Sequence, residues 1–136
     1  MLIVDAGPLY AAAARRDVNH DRSVELLTHA ARPLIVPVLV VAEVGHLLSD
    51  RLGAHAEAAF AHSIAGGELV VEPVLDTEWE RIAELTEQYA DLSLGIVDAS
   101  LVVLAERLGA GTVASFDRRH LATVRPAHCS ALTLVP

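Results

Sequence analysis

Met1-Leu2-Ile3-Val4-Asp5-Ala6-Gly7-Pro8 opens the chain with an apolar run, one acid and a turn pair. Leu2 to Val4 is entirely apolar, so it reads as a strand buried on both faces, as in a parallel sheet. Gly7-Pro8 then begins a helical stretch through Ala14. The alternation continues outward from there. Strands are expected at Leu34–Val36, Leu69–Val71, Thr112–Ala114 and Leu132–Val135. Helices are expected at Asp21–Ala30, Leu39–Leu48, Ala54–Ala65, Leu94–Leu108 and Arg118–Ala122. Pro37 ends the second strand, Gly53 separates two helices, Gly66-Gly67 forms a turn and Gly109 stops the long helix. Asp76 reads as an N-cap with Glu78 and Glu80 in the first turn, where the helix dipole favours negative charge. Trp79, Ile82, Thr86 and Tyr89 recur along one face of that helix, and Ser93 reads as the cap of the next. Short strands separated by helices predict an α/β fold, with a central, mostly parallel five-stranded sheet and helices on both faces. One domain over 1–136 is expected.

Composition narrows the function classes. The apolar fraction of 53% exceeds the usual value of about 45–50%, which leaves surface for a partner or a second copy. No apolar run approaches the roughly 18 residues of a membrane span. The N-terminus reaches Asp5 with no basic stretch before it, unlike a signal peptide, so a cytoplasmic location is expected. Cys129 is the only cysteine, which excludes an intramolecular disulfide and a multi-cysteine zinc site. Net charge is −8, and all ten basic residues are arginine. That balance argues against broad nucleic-acid binding, which depends on neutralising phosphates. It leaves room for a phosphate-cutting enzyme whose acids hold a metal.

Four acids stand in apolar surroundings. Asp5 closes the first strand, Glu43 interrupts Val38 to Val44, Asp98 interrupts Leu94 to Val102, and Asp117 follows Thr112 to Phe116. Each has a plainer reading. Asp5 suits the turn Asp-Ala-Gly-Pro. Asp98 would be a buried Asp bonded to backbone or hydroxyl groups, though Asp is a poor residue within a helix. Asp117, taken alone, is better explained as the cap of the following short helix. For Glu43 it is a solvent-facing helix residue, but Leu39, Val40 and Leu47 at i−4, i−3 and i+4 place it within an apolar stripe. Together the four are harder to dismiss. Ligands of parallel sheets bind beyond the carboxyl ends of the strands, where strand order switches. Asp5 and Asp117 follow strands one and four, Glu43 lies in the helix leaving strand two, and Asp98 in the helix feeding strand four. All four can meet at that edge. Charges in such settings need a partner or a metal, and a shared cation would serve all four.

Competing constellations are thinner. Glu43-x-x-His46 has the spacing of di-iron bundles but lacks a second copy and further glutamates. His55 and His62 read as a solvated helix face. No phosphate-cradling glycine loop occurs, and Cys129 has no setting that would activate a thiol.

The strings Ile3-Val4-Asp5-Ala6, Val41-Ala42-Glu43-Val44, Val97-Asp98-Ala99-Ser100-Leu101 and Ser115-Phe116-Asp117-Arg118-Arg119-His120 resemble, in that order, the PIN-domain ribonucleases. In size and layout the chain resembles the VapC-type toxins of toxin–antitoxin pairs. Ser115 stands where many members have threonine, with the hydroxyl retained for hydrogen bonding around water or metal. The resemblance implies a three-layer PIN-like fold. It implies that Asp5, Glu43, Asp98 and Asp117 are the catalytic acids and bind Mg²⁺ or Mn²⁺, a role that oxygen ligands suit. It implies endonucleolytic cleavage of RNA by water, leaving 5′-phosphate and 3′-hydroxyl ends. Arg118, Arg119 and His120 are the expected RNA-binding rim, with Arg15 and Arg16 a further candidate part. A homodimer and a small antitoxin covering the active-site groove are the implied partners. The alternative is a non-catalytic PIN-like module that only binds partners. Phosphoacceptor receivers and haloacid-dehalogenase-like phosphatases resemble one another in needing a lysine, and this chain has none.

Overall fold

Each apolar run becomes a strand of one sheet: β1 (Leu2–Val4), β2 (Leu34–Pro37), β3 (Leu69–Glu72), β4 (Thr112–Ala114) and β5 (Thr133–Val135). The computed structural model describes residues 1–136. Strand order is β3-β2-β1-β4-β5, and every neighbouring pair is parallel. The helices are α1 (Ala6–Ala13), α2 (His20–His29), α3 (Val38–Leu52), α4 (Ala54–Ala65), α5 (Trp79–Gln88), α6 (Ile96–Leu108) and α7 (Arg118–Leu121).

The chain builds outward from β1 to β2 and β3, then returns to β1's other side for β4 and β5. Right-handed crossovers therefore place the first helices on one face and the later ones on the other. The core divides accordingly. Leu2, Val4, Leu34, Val36 and Ala114 point toward Leu9, Val40, Val44 and Leu48 of α1 and α3. Ile3, Ile35 and Val113 point toward Ile82, Leu85, Leu101, Val102 and Leu121 of α5, α6 and α7. This period-two alternation is the pleat expressing itself, with both faces covered.

The expected fold class is met, while several local expectations are corrected. α3 runs from Val38 to Leu52 rather than from Leu39 to Leu48. Gly53 ends it at φ +93. Asp76 is not an N-cap: it opens a 3-10 turn, Asp76–Glu78, before α5 begins at Trp79. Glu78 instead reaches back to accept from the Leu75 N–H at 2.8 Å. Trp79 is 44% exposed; the buried positions of α5 are Ile82 and Leu85. Ser93 does not cap α6. It takes a left-handed conformation at φ 57, and Gly95 occupies the cap position. α6 thus starts two residues later than expected, which brings Asp98 from the helix body into the first turn.

Candidate functional site

Strand order switches between β1 and β4, and the loops that follow these two strands carry Asp5 and Ser115-Phe116-Asp117. Asp5 is 8% exposed. Its Oδ1 accepts from the Ala6 N–H at 2.7 Å, capping α1, and its Oδ2 accepts from the Ser115 hydroxyl at 2.6 Å. The fully buried Ser115 Oγ also accepts from the Asp117 N–H at 3.0 Å. One hydroxyl therefore joins the two strand-end acids.

Asp117 caps α7 by accepting from the His120 N–H at 3.0 Å, as its plainer reading foresaw. Its other carboxylate oxygen pairs with His120 Nδ1. His120 Nε2 meets the Leu92 carbonyl at 2.7 Å. Both ring nitrogens face acceptors, an arrangement that suits the imidazolium, which donates from both.

α6 joins β4 through the short link Gly109–Gly111, so it ends at the amino edge of the sheet and begins at the carboxyl edge. That geometry delivers Asp98, in its first turn, to the same place. Glu43 arrives on α3, which leaves β2 at that edge. Val40, Val44 and Leu48 form the buried stripe of α3, whereas Glu43 is exposed beside it. This corrects the expectation that Glu43 lies within the stripe.

The acids act on one another electrostatically. Burial raises the proton affinity of Asp5, opposed by the Ser115 and Ala6 hydrogen bonds and reinforced by the charge of Asp117. Local desolvation, then Asp5 and Asp98, push Glu43 up. Asp98 is raised by burial and by Asp5 and Asp117, while His120 and the Gly95 amide hold it back. His120 is itself raised, first by its hydrogen bond to Asp117. Such a cluster binds protons or cations more readily than isolated carboxylates do. Asp98, Asp117 and His120 offer possible ligand atoms all within 4.8 Å of one another.

All four sequence-identified acids thus share one edge, and Ser115 stands between two of them. Arg118 and Arg119 are exposed on α7. The Arg118 guanidinium donates to the Pro136 carbonyl at 2.9 Å. His120, expected on the rim, is instead the basic group inside the cluster. Its spacing of three from Asp117 was the available signal, since i and i+3 face each other on a helix.

A family model described as "PIN domain" matches residues 2–125. Ribonuclease VapC26 of Mycobacterium tuberculosis is 33% identical over 135 residues, covering 99% of this chain and 100% of that protein. The crystal structure of Mycobacterium tuberculosis VapC20, described as a sarcin-ricin loop cleaving toxin, superposes with a TM-score of 0.81. At 22% identity over 86% of this chain and 90% of that one, the latter likeness is one of fold.

Proposed function

The chain belongs to the PIN domain family, and from that premise we propose that it is a metal-dependent endoribonuclease acting as the toxin of a toxin–antitoxin pair. The observation that carries the reading is the meeting of Asp5, Glu43, Asp98 and Asp117 at the β1/β4 switch, where three of them have raised proton affinity. Retention of all four acids at that switch favours catalysis over a PIN-like module that only binds partners. The donor set fits Mg²⁺ or Mn²⁺: it is rich in carboxylate oxygen and holds no thiolate. Asp5, Asp98 and Glu43 would hold the ion, with Asp117 reaching it directly or through water. A cation bound there supplies acidified water and offsets charge on the phosphate under attack.

The protein's own residues do the rest. Ser115 fixes the Asp5 carboxylate with a charge-assisted hydrogen bond. His120 orients Asp117, and the first turn of α6 presents Asp98. The relative VapC26, named a ribonuclease and aligned along its whole length, supports RNA as the substrate.

An apolar groove supports the antitoxin. It has a volume of about 540 Å³ and is lined by Leu9, Ala12, Leu27, Leu48, Ala59 and Phe60, among others. Such a groove suits the apolar face of a partner helix. Exposed Trp79 and Ile96 offer contacts for the homodimer.

Incubating purified protein with total RNA tests the reading. Cleavage should require Mg²⁺ or Mn²⁺, stop in EDTA and leave 5′-phosphate ends. Cleavage that persists in EDTA and leaves 2′,3′-cyclic phosphate would refute it.

A further inference from the structure

The ten arginines are not equally occupied. Arg81 and Arg107 are held by glutamates. Arg32, Arg118 and Arg125 donate to backbone carbonyls. Arg22 and Arg51 lie instead over aromatic rings, Arg22 at 4.6 Å from the Phe116 centroid and Arg51 at 5.2 Å from that of Tyr10. Arg15, Arg16 and Arg119 have none of these partners. Of the eight arginines with no acid partner, Arg15 and Arg16 directly follow α1 and Arg51 lies over its Tyr10.

One of these stacks borders a cavity. A cleft of about 530 Å³ opens where the ends of α1 and α3 meet the start of α4, lined by Tyr10, Ala13, Arg15, Arg16, Asp17, Leu52 and Ala56, with Arg51 beside it over the Tyr10 ring. The one acid there, Asp17, is turned toward the backbone, accepting from the Asn19 N–H at 2.8 Å. Arg15 and Arg16 follow the C-terminus of α1, where a positive charge also complements the helix dipole. That effect accounts for neither Arg51, which arrives from α3, nor the space between the two helices.

The cleft lies along the two helices that leave the acidic site. Asp5 caps α1, and Tyr10 is five residues on, about 7.5 Å along the axis at 1.5 Å per residue. Arg51 is eight residues beyond Glu43 on α3, about 12 Å by the same measure. Along the helix axes both residues therefore stand roughly 8–12 Å from the acids, within reach of the same RNA strand. A guanidinium lying on an aromatic ring still has one open face, on which a base can stack. Two unpaired arginines at the mouth suit the backbone phosphates.

We propose that this cleft is a nucleotide subsite for single-stranded RNA, away from the bond that is cut. Arg51, at the edge of the cleft over Tyr10 and beside Leu52, stacks a base, and Arg15 and Arg16 hold the adjoining phosphates. The subsite rests on the ribonuclease reading above and extends it to substrate positioning away from the acids.

The test uses an Asp98→Asn background with Mg²⁺ and a fluorescein-labelled, mixed-sequence, single-stranded RNA dodecamer. Arg51→Ala should weaken binding about tenfold. Arg51→Lys should recover only part of that loss, since lysine keeps the charge without the planar face. The Arg15→Ala/Arg16→Ala double variant should flatten the dependence of affinity on salt. Arg125→Ala, on a remote loop, should match the parent. In the otherwise unchanged protein Arg51→Ala should raise KM more than it lowers kcat. Parent-like affinity in both the Arg51 and Arg15/Arg16 variants, while the unchanged protein still cuts RNA, overturns the subsite and leaves the ribonuclease reading standing. The same holds if these variants bind RNA normally but lose a protein partner, which would assign the cleft to that partner. If the unchanged protein neither binds nor cuts RNA with Mg²⁺ or Mn²⁺, both readings fall together.

Discussion

The Ser115 hydroxyl donates to Asp5 Oδ2 at 2.6 Å across 110 positions of sequence, and both residues are buried. Removing it as Ser115→Ala takes away the strongest interaction that favours the Asp5 anion. The expected outcome is a folded protein with cleavage reduced about 10- to 100-fold, the usual loss when a residue that orients a metal ligand is removed. Ser115→Thr, which keeps the hydroxyl, should retain most activity. Rates of labelled-RNA cleavage across Mg²⁺ concentrations check this, and a fully active alanine variant would contradict it.

Asp5→Asn and Asp98→Asn should each lower cleavage by more than about 100-fold, beyond the loss expected of a residue that only orients a ligand. The amide keeps the shape but loses the charge that would hold a cation. Glu43→Gln should behave similarly. Asp117→Asn is expected to lose less, because its carboxylate already serves α7 and His120. Circular dichroism alongside the cleavage assay separates loss of chemistry from loss of fold.

Stability without added metal should fall as pH rises. Asp5, Glu43 and Asp98 have raised proton affinity when folded, so above the ordinary carboxylate range the native state holds more protons than the unfolded one. Stability therefore declines as pH climbs through their folded values. His120 is also raised. Its contribution is fully present below the ordinary histidine value and is lost as pH rises through the folded one. Both effects have the same sign. Glu106, lowered by Arg81 against the effect of burial, acts oppositely and only in acid, where its contribution is lost as pH falls through its folded value. Melting curves in EDTA should show a lower Tm at pH 8 than at pH 6. Mg²⁺ should raise Tm more at the higher pH, and a flat profile would count against the electrostatic picture of the site.

Arg107→Ala should cost about 1–3 kcal/mol, the scale of hydrogen bonds to charged groups that are partly shielded from water. Its guanidinium joins Glu72 at the end of β3, Glu78 before α5 and the Pro73 carbonyl. Because this clamp lies at the end of α6 opposite Asp98, Mg²⁺ affinity should be unchanged. Denaturant unfolding and metal titration on the same sample test the two halves.

The strands and the acids were readable in the sequence because each depends on local facts. An all-apolar run is a buried parallel strand, and a charge beside it is conspicuous. What resisted reading depended on backbone geometry or on distant partners. Ser93 has the chemistry of a cap, but its left-handed backbone yields that place to Gly95. Glu43 lies one position from a buried valine on α3, and helical periodicity alone does not resolve which side of the stripe faces water. His120 looked like part of a basic surface cluster; its pairing with Asp117 was there to be read from the spacing, but the approach of the Leu92 carbonyl to its other ring nitrogen was not. Arg51 carried no signal at all, since Tyr10 meets it across a tertiary contact.

The placement of β1 at the centre of the sheet has a consequence for biosynthesis. The first strand made is flanked by β2 and by β4, and β4 begins only at Thr112. Until that strand leaves the ribosome, β1 keeps one open edge, and neither Ser115 nor Asp117 exists to face Asp5. Every chain ending before β4 lacks Asp117, one of the four acids, and the Ser115 hydroxyl that fixes Asp5. A message cut short upstream of β4 therefore encodes a chain in which Asp5 has neither its Ser115 hydrogen bond nor the neighbouring Asp117 charge.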